Sequence, residues 1–144
     1  MSFTREMLDA APGQIELDPD ALVAAIEACL SAEQACVACA DSSLAEDDVA
    51  AMARSVALNN NCGDVCAATA RTLSRPLHSD HRVEQRLLRA CVQTCTECAA
   101  ECERHAEHHR HCGICARACR ACAKACTDLL EADAFEELEK LAGG

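Results

Sequence analysis

The 144-residue sequence has no tryptophan and no tyrosine, and its only phenylalanines are Phe3 and Phe135. A core without large rings must fill its volume with smaller side chains. Apolar residues make up 51% of the chain, but much of that share is Ala and Cys. Such residues bury little area each, so packing alone contributes modestly to stability. Strand-like alternation rich in Val, Ile or Thr is missing, which excludes a β fold. No apolar run approaches the roughly 18 residues of a membrane span, so no span is expected. The first 18 residues lack a basic stretch followed by an apolar one, so no secretory signal is expected either. The compartment this implies is a reducing cytosol. There, dense cysteine signals metal or redox chemistry rather than a disulfide framework. The net charge of −11 argues against nucleic acid as a partner, because phosphates would repel it. Acidity otherwise serves solubility.

Turn signals are few, and the length suits one domain spanning 1–144. Pro12-Gly13 closes a short N-terminal segment, and Asp18-Pro19 reads as an N-cap followed by proline at the first helical position. A first long helix is predicted from Pro19 to Ala40, ended by the Asp41-Ser42-Ser43 turn. A second runs from Glu46 to Leu73, where Arg75-Pro76 interrupts it. Ser79 or Asp80 caps a third, which continues to His105 or His108. The His108-His109-Arg110-His111 cluster and Gly113 mark a tight connection. A fourth helix follows from Cys112 to Leu130, then a short acidic helix from Ala134 to Leu141 and a frayed Gly143-Gly144 end. Long helices joined by short turns make antiparallel neighbours. The expected fold is therefore all-α, an up-down four-helix bundle over about 19–130 with short N- and C-terminal helical extensions.

What the sequence has in abundance is cysteine, 14 residues in four groups. They are Cys29, Cys36 and Cys39; Cys62 and Cys66; Cys91, Cys95, Cys98 and Cys102; and Cys112, Cys115, Cys119, Cys122 and Cys126. Each step within a group is 3, 4 or 7, the period of one helical face. These are heptad core positions, where Leu or Ile would ordinarily sit. The stripe continues past sulfur. His105 and His109 follow Cys102 at steps of 3 and 4, and Asn59, Ser55 and Met52 precede Cys62. By helical rise the column from Cys91 to His109 spans roughly 27 Å. A single buried cysteine is usually just a small hydrophobe. Fourteen on one continuous set of faces are a ligand array. Disulfides at i and i+4 on a helix would be strained.

Thiolates select Cu(I), Zn(II) or iron–sulfur clusters. About three zinc ions on 12 thiolates would leave a buried charge of about −6, which is very costly. Cu(I) replaces one proton with one positive charge, so about one ion per sulfur leaves the core near neutral. Sulfurs at i, i+3 and i+4 are close enough to grip an ion in pairs and to bridge two ions. That arithmetic favours a capacity on the order of the cysteine count. The C-x₂-C-x₂-C motif with a following proline, common for iron–sulfur clusters, does not occur.

The C-x₃-C-x₂-C-x₃-C of Cys91 to Cys102, the histidine-rich turn, and the C-x₂-C-x₃-C-x₂-C-x₃-C of Cys112 to Cys126 resemble the bacterial copper storage proteins, in their cytosolic branch. The likeness covers about residues 19–130. It implies a homotetrameric four-helix bundle filled with thiolate-bound Cu(I), with copper entering at one end past histidines and other polar groups. It also implies exchange with copper-donor or copper-acceptor proteins. All 14 cysteines are assigned as metal ligands. His105 and His109 fit mouth ligands, and His111 beside Cys112 is next. His108 fits a ligand or a solvated residue equally. Asn61 and Asp64, flanking Cys62, are candidates because family members use polar oxygens near the mouth; a solvated helix face or a packing role is at least as good a reading. Met52 offers a thioether, though a core methionine is the simpler role. His78 and His81 read as surface residues at the opposite end.

The function this implies is storage or detoxification of Cu(I) in the cytosol, which is binding rather than catalysis. No phosphate loop and no paired nucleophile and base are visible. Two alternatives remain open. The C-x-x-C pairs at Cys36/Cys39, Cys95/Cys98, Cys112/Cys115 and Cys119/Cys122 suit a thiol redox protein, although such motifs normally sit in a βαβ setting. A structural zinc bundle is the other.

Overall fold

The structure, a computed structural model, describes residues 2–133. Five α-helices follow one another: α1 (Thr4–Asp9), α2 (Pro19–Leu44), α3 (Ala53–Leu73), α4 (Arg82–His105) and α5 (Arg110–Ala132). A 3₁₀ turn, Val49–Met52, leads into α3. No strand occurs among the described residues. The acidic helix expected over 134–141 lies outside the described residues, as do Phe135 and Gly143-Gly144.

Helices α2 to α5 form the bundle. Contacts run from α2 to α3, α3 to α4, α4 to α5 and α5 back to α2, the square expected of an up-down-up-down chain. The helix starts follow from local chemistry. Asp18 Oδ1 accepts a hydrogen bond from the Ala21 backbone N–H at 2.8 Å, with Pro19 in the first turn. The Asp18 N–H donates in turn to Asp133 Oδ1 at 2.7 Å, tying the start of α2 to the end of α5. At α4, Ser79 Oγ accepts from the His81 N–H and Asp80 Oδ1 from the Arg82 N–H. The residue at the boundary is His81, whose φ of 69° places it in the left-handed region.

Four expectations change. First, α2 does not stop at Ala40 but continues through Ser42 and Ser43 to Leu44. Ser43 lies four residues beyond Cys39 on the same face and is fully buried. Continuing that face into the core outweighed the turn preference of an Asp-Ser-Ser run. Second, α3 begins at Ala53 rather than Glu46, which leaves Glu46 and Asp48 on a turn at that end of the bundle. Third, His81 is only 5% exposed, not a surface residue, because it wedges between Glu16 and Glu84 at 3.9 Å from each. His78 is exposed, as expected. Fourth, α2 has the length and composition of a membrane-crossing helix, with an 18-residue window of mean hydropathy 1.5. Its hydropathy comes from Leu22, Val23, Ile26, Leu30 and Val37 together with Ala and Cys, and the helix packs against α3 and α5.

Two kinds of core share the bundle. Leu22 and Ile26 near the start of α2, Leu73 at the end of α3, Leu88 near the start of α4 and Leu129 at the end of α5 are all buried. In an antiparallel bundle these positions meet at one end and close it with branched side chains. Toward the other end the buried positions are cysteines, followed by Ser43, Met52, Ser55 and Asn59. The leucine end should therefore carry most of the packing energy. Leu129→Ala is expected to destabilise the reduced, metal-free protein by about 2–5 kcal/mol. Cys95→Ala, which removes a single sulfur, should cost less. Chemical denaturation of both variants measures the difference.

Candidate metal centre

All 14 cysteines are free thiols, and none is more than 1% exposed. Heptad-like spacing placed them on the inner face of each helix, and the antiparallel packing aligned the four faces. Their sulfurs form one uninterrupted column. At the leucine end, Cys29 lies 3.7 Å from Cys126 and 3.6 Å from Cys122. Cys122 is 3.8 Å from Cys91, and Cys91 is 3.8 Å from Cys66. Cys66 and Cys62 both lie 3.6 Å from Cys95. The column passes from Cys62 to Cys119 at 3.9 Å, then to Cys36 at 3.6 Å and Cys115 at 3.8 Å. Cys98 joins Cys36, Cys115 and Cys119, with all four sulfurs within 4.8 Å of one another. Cys39, Cys102 and Cys115 form the next group, and Cys112 is 4.0 Å from Cys39. These separations are nearly twice a disulfide bond length, so the sulfurs touch without bonding.

The groups overlap. Cys91 and Cys122 belong both to the set with Cys29 and Cys126 and to the set with Cys66 and Cys95. Cys115 and Cys39 are shared in the same way nearer the other end. Isolated tetrahedral sites need four private ligands each. Shared sulfurs suit ions held by bridging thiolates.

Packed together, the thiols control one another's protons. Cys95 is pushed up by hydrogen bonding with Cys119, Cys122, Cys62 and Cys66, and then by burial. Cys36 is raised by Cys115 and Cys119 in the same manner. Cys112 is pushed up to about 11, first by burial and then by the charge of Cys102. Cys62, Cys91 and Cys115 move the other way, because their anions accept S–H donations from neighbours, with Cys119, Cys122 and Cys102 respectively contributing most. The network thus resists losing many protons at once unless cations replace them.

The column ends among histidines. His111 Nδ1 lies 3.3 Å from Cys39 Sγ and 3.6 Å from Cys112 Sγ. His109 follows with its ring centroid 5.7 Å from that of His111, and His105 is 6.4 Å from His109. The sequence placed His109 on the third helix. It instead precedes the first turn of α5, since α4 ends at His105, yet the turn folds it back beside His105. The His109 N–H donates to the His105 carbonyl at 2.9 Å, which closes that turn. Gly113 packs against Ala106 there; a Cβ at that position would stand 3.5 Å from the Ala106 Cβ, an ordinary contact, so the turn does not depend on glycine. His108 points to solvent as an exposed residue.

Asn61 and Asp64 do not join the column; both are exposed. At about 100° per residue, they lie about 100° and 200° around α3 from Cys62, off the cysteine face. The oxygen that does reach the sulfurs belongs to Asn59, fully buried three residues before Cys62. Its Oδ1 accepts from Cys98 Sγ at 3.0 Å and from Cys102 and Cys115 at 3.5 Å. Its place in the stripe was readable, though its partners were not. Met52 is fully buried, as a core methionine should be.

Carboxylates form the outer layer, and no sequence pattern singled them out. Glu101, 6% exposed, accepts from Arg104 at 2.9 Å and pairs with His105 Nε2 at 3.3 Å. Burial opposes its ionisation, but His105 and Arg104 outweigh that and hold the carboxyl below its usual value. Its i,i+4 spacing to His105 is a signal that could have found it. Glu46 and Asp48 come from the turn after α2 and meet His109 and His111 across the mouth. Only the tertiary structure brings them there. His109 holds the Asp48 carboxyl below the usual range through their hydrogen bond.

Comparison with known proteins agrees with this geometry. Residues 18–131 match the copper storage protein family. The copper storage protein Ccsp of Streptomyces lividans, in a structure loaded with 10 copper equivalents, is 42% identical. The match covers 90% of this chain and 98% of that one, with a TM-score of 0.88. A structure of the cytosolic copper storage protein of the same organism with five coppers is 46% identical over 78% of this chain and 93% of the other, at a TM-score of 0.76. The Cu(I)-bound copper storage protein BsCsp3 is 30% identical over 74% of this chain and 94% of its own, at a TM-score of 0.66. A search of curated proteins returned no match. With the family match covering most of the bundle, the chain belongs to the copper storage protein family.

Proposed function

We propose that this protein binds and stores many Cu(I) ions on the thiolates of its bundle core, in the cytosol, for copper storage or detoxification. The observation that carries this reading is the sulfur column, whose neighbours lie 3.6–3.9 Å apart from Cys126 to Cys115 and which continues through Cys39 and Cys102, within 4.8 Å of Cys115, to Cys112. Soft thiolates match a soft monovalent ion, and one charge per displaced proton keeps a buried core near neutral. The shared sulfurs of Cys91, Cys122, Cys39 and Cys115 favour bridged copper over separate zinc sites. The 14 cysteines serve as ligands, with His111 nearest the column and His105 and His109 at the mouth through which copper passes. Arrival at the histidine end follows from the leucine closure of the other. The role is binding rather than catalysis. Family likeness further supports a homotetramer and exchange with copper-donor or copper-acceptor proteins.

Four results test the reading. Titration of reduced, metal-free protein against a competing Cu(I) chelator should saturate at about 10–20 ions per chain; saturation at one to four would overturn it. Loading should release roughly one proton per Cu(I) at neutral pH, measured by pH-stat, since thiols such as Cys112, raised to about 11, begin protonated. Affinity should fall as the pH is lowered, because protons then compete for the same sulfurs. Asn61→Ala and Asp64→Ala should leave the capacity unchanged in the same titration, because neither side chain lies on the cysteine face.

A further inference from the structure

The three mouth histidines are not equivalent, and the turn between α2 and α3 makes the difference. Glu46 presents one carboxylate oxygen to each of two rings. Its Oε1 lies 3.0 Å from His111 Nε2, and its Oε2 lies 3.3 Å from His109 Nδ1. The second nitrogen of His109 is engaged too, 3.2 Å from Asp48 Oδ2. A carboxylate only accepts hydrogen bonds, so the His111 nitrogen bonded to Glu46 must carry a proton. For His111 this places the hydrogen on Nε2 and leaves the neutral ring's lone pair on Nδ1. That is the nitrogen 3.3 Å from Cys39 Sγ and 3.6 Å from Cys112 Sγ. For His109 both nitrogens sit against carboxylates, Nε2 hydrogen-bonded to Asp48 and Nδ1 3.3 Å from Glu46, so neither faces the sulfurs while both carboxylates stay in place.

We propose that Glu46 is a positioning residue for copper loading: it locks His111 in the Nε2–H tautomer, so that Nδ1 and the sulfurs of Cys39 and Cys112 form the first inward-facing ligand set at the mouth. Glu46 hydrogen-bonds the ring and acts through it. His109, latched between Glu46 and Asp48, becomes a ligand only when one carboxylate lets go. Asp48 is the freer partner, 51% exposed against 32% for Glu46. The geometry also explains why the α2–α3 turn bends Glu46 over the start of α5, a placement that neither capping nor core packing requires. Outer-sphere carboxylates of this kind orient metal-binding imidazoles, and their loss typically costs about 10–100-fold in metal affinity or activity.

This inference rests on the copper storage reading, and the test keeps the two apart. The protein is used reduced and metal-free, with ¹⁵N-labelled histidine. Cu(I) is delivered from a chelator complex, and uptake is followed by stopped-flow absorbance. In the wild type, the His111 ring nitrogens should show the Nε2–H pattern. Glu46→Ala should give a mixture of tautomers and slow the first equivalents of uptake by about 10-fold or more. Its final capacity should match the wild type, because the sulfur column is intact. Glu46→Gln should recover both the tautomer and the rate, since the amide oxygen can accept from Nε2–H. A Glu46→Ala protein that keeps the Nε2–H pattern, or that loads at the wild-type rate, overturns the proposal. So does a Glu46→Gln protein as slow as Glu46→Ala, which would indicate a role for the charge itself. Failure of the wild type to take up copper would instead overturn the storage reading. Thermal unfolding by circular dichroism confirms that each variant is folded. If Glu46→Ala is not, the comparison of wild type with Glu46→Gln and Asp48→Asn decides. The tautomer should persist in both variants, and its loss in either of them overturns the proposal.

Discussion

Buried charge must balance, and the rest of this structure depends on that constraint. Fourteen thiols in van der Waals contact are harmless as neutral S–H groups and ruinous as bare thiolates. The core is therefore stable in two conditions: fully protonated, or with protons exchanged for an equal number of positive charges. A monovalent soft cation meets the second condition at high loading. A divalent ion meets it only at half the loading, and the overlapping sulfur sets do not divide into the private four-ligand sites such an ion prefers. The metal follows from electrostatics as much as from ligand type.

The same constraint shapes the two ends. A column of small side chains packs weakly, and the leucines and Ile26 at one end compensate by sealing it with branched hydrocarbon. The other end must admit a charged ion to a dry interior. There the buried residues become polar by degrees, from Asn59 among the sulfurs to the histidines and then to Glu46, Asp48 and Glu101. An ion moving inward meets carboxylates, imidazoles and thiolates in that order, a progression from hard to soft ligands. Arg54 and Arg104 beside Glu101 keep that carboxylate paired within a mouth that already carries several acidic groups.

Packing accounts for where local signals failed. Ser42 and Ser43 carry turn chemistry, but Ser43 completes the inward face that Cys36 and Cys39 begin, so α2 runs through them. His81 reads as a polar loop residue, yet it sits buried next to Glu84, itself 1% exposed, in the left-handed backbone region that few residues other than glycine adopt. The hydropathy of α2 counts Ala and Cys as lipid-facing, whereas its cysteines face other cysteines.

The sequence by itself determined the helices, their order and the inward face of each, because a period of 3, 4 and 7 admits one geometry for residues on a helix. Cys91 to Cys102 and Cys112 to Cys126 announced a sulfur stripe, and the charge that stripe can bear pointed to Cu(I). The tertiary structure alone decided which sulfurs meet across helices, such as Cys62 with Cys119 and Cys29 with Cys126. It also exposed Asn61 and Asp64, placed Asn59 at the thiols, and brought Glu46 and Asp48 to the histidines. Periodicity describes one helix at a time. Contacts between residues more than 60 positions apart, like Glu46 with His111, arise only when the turns set how the helices stack.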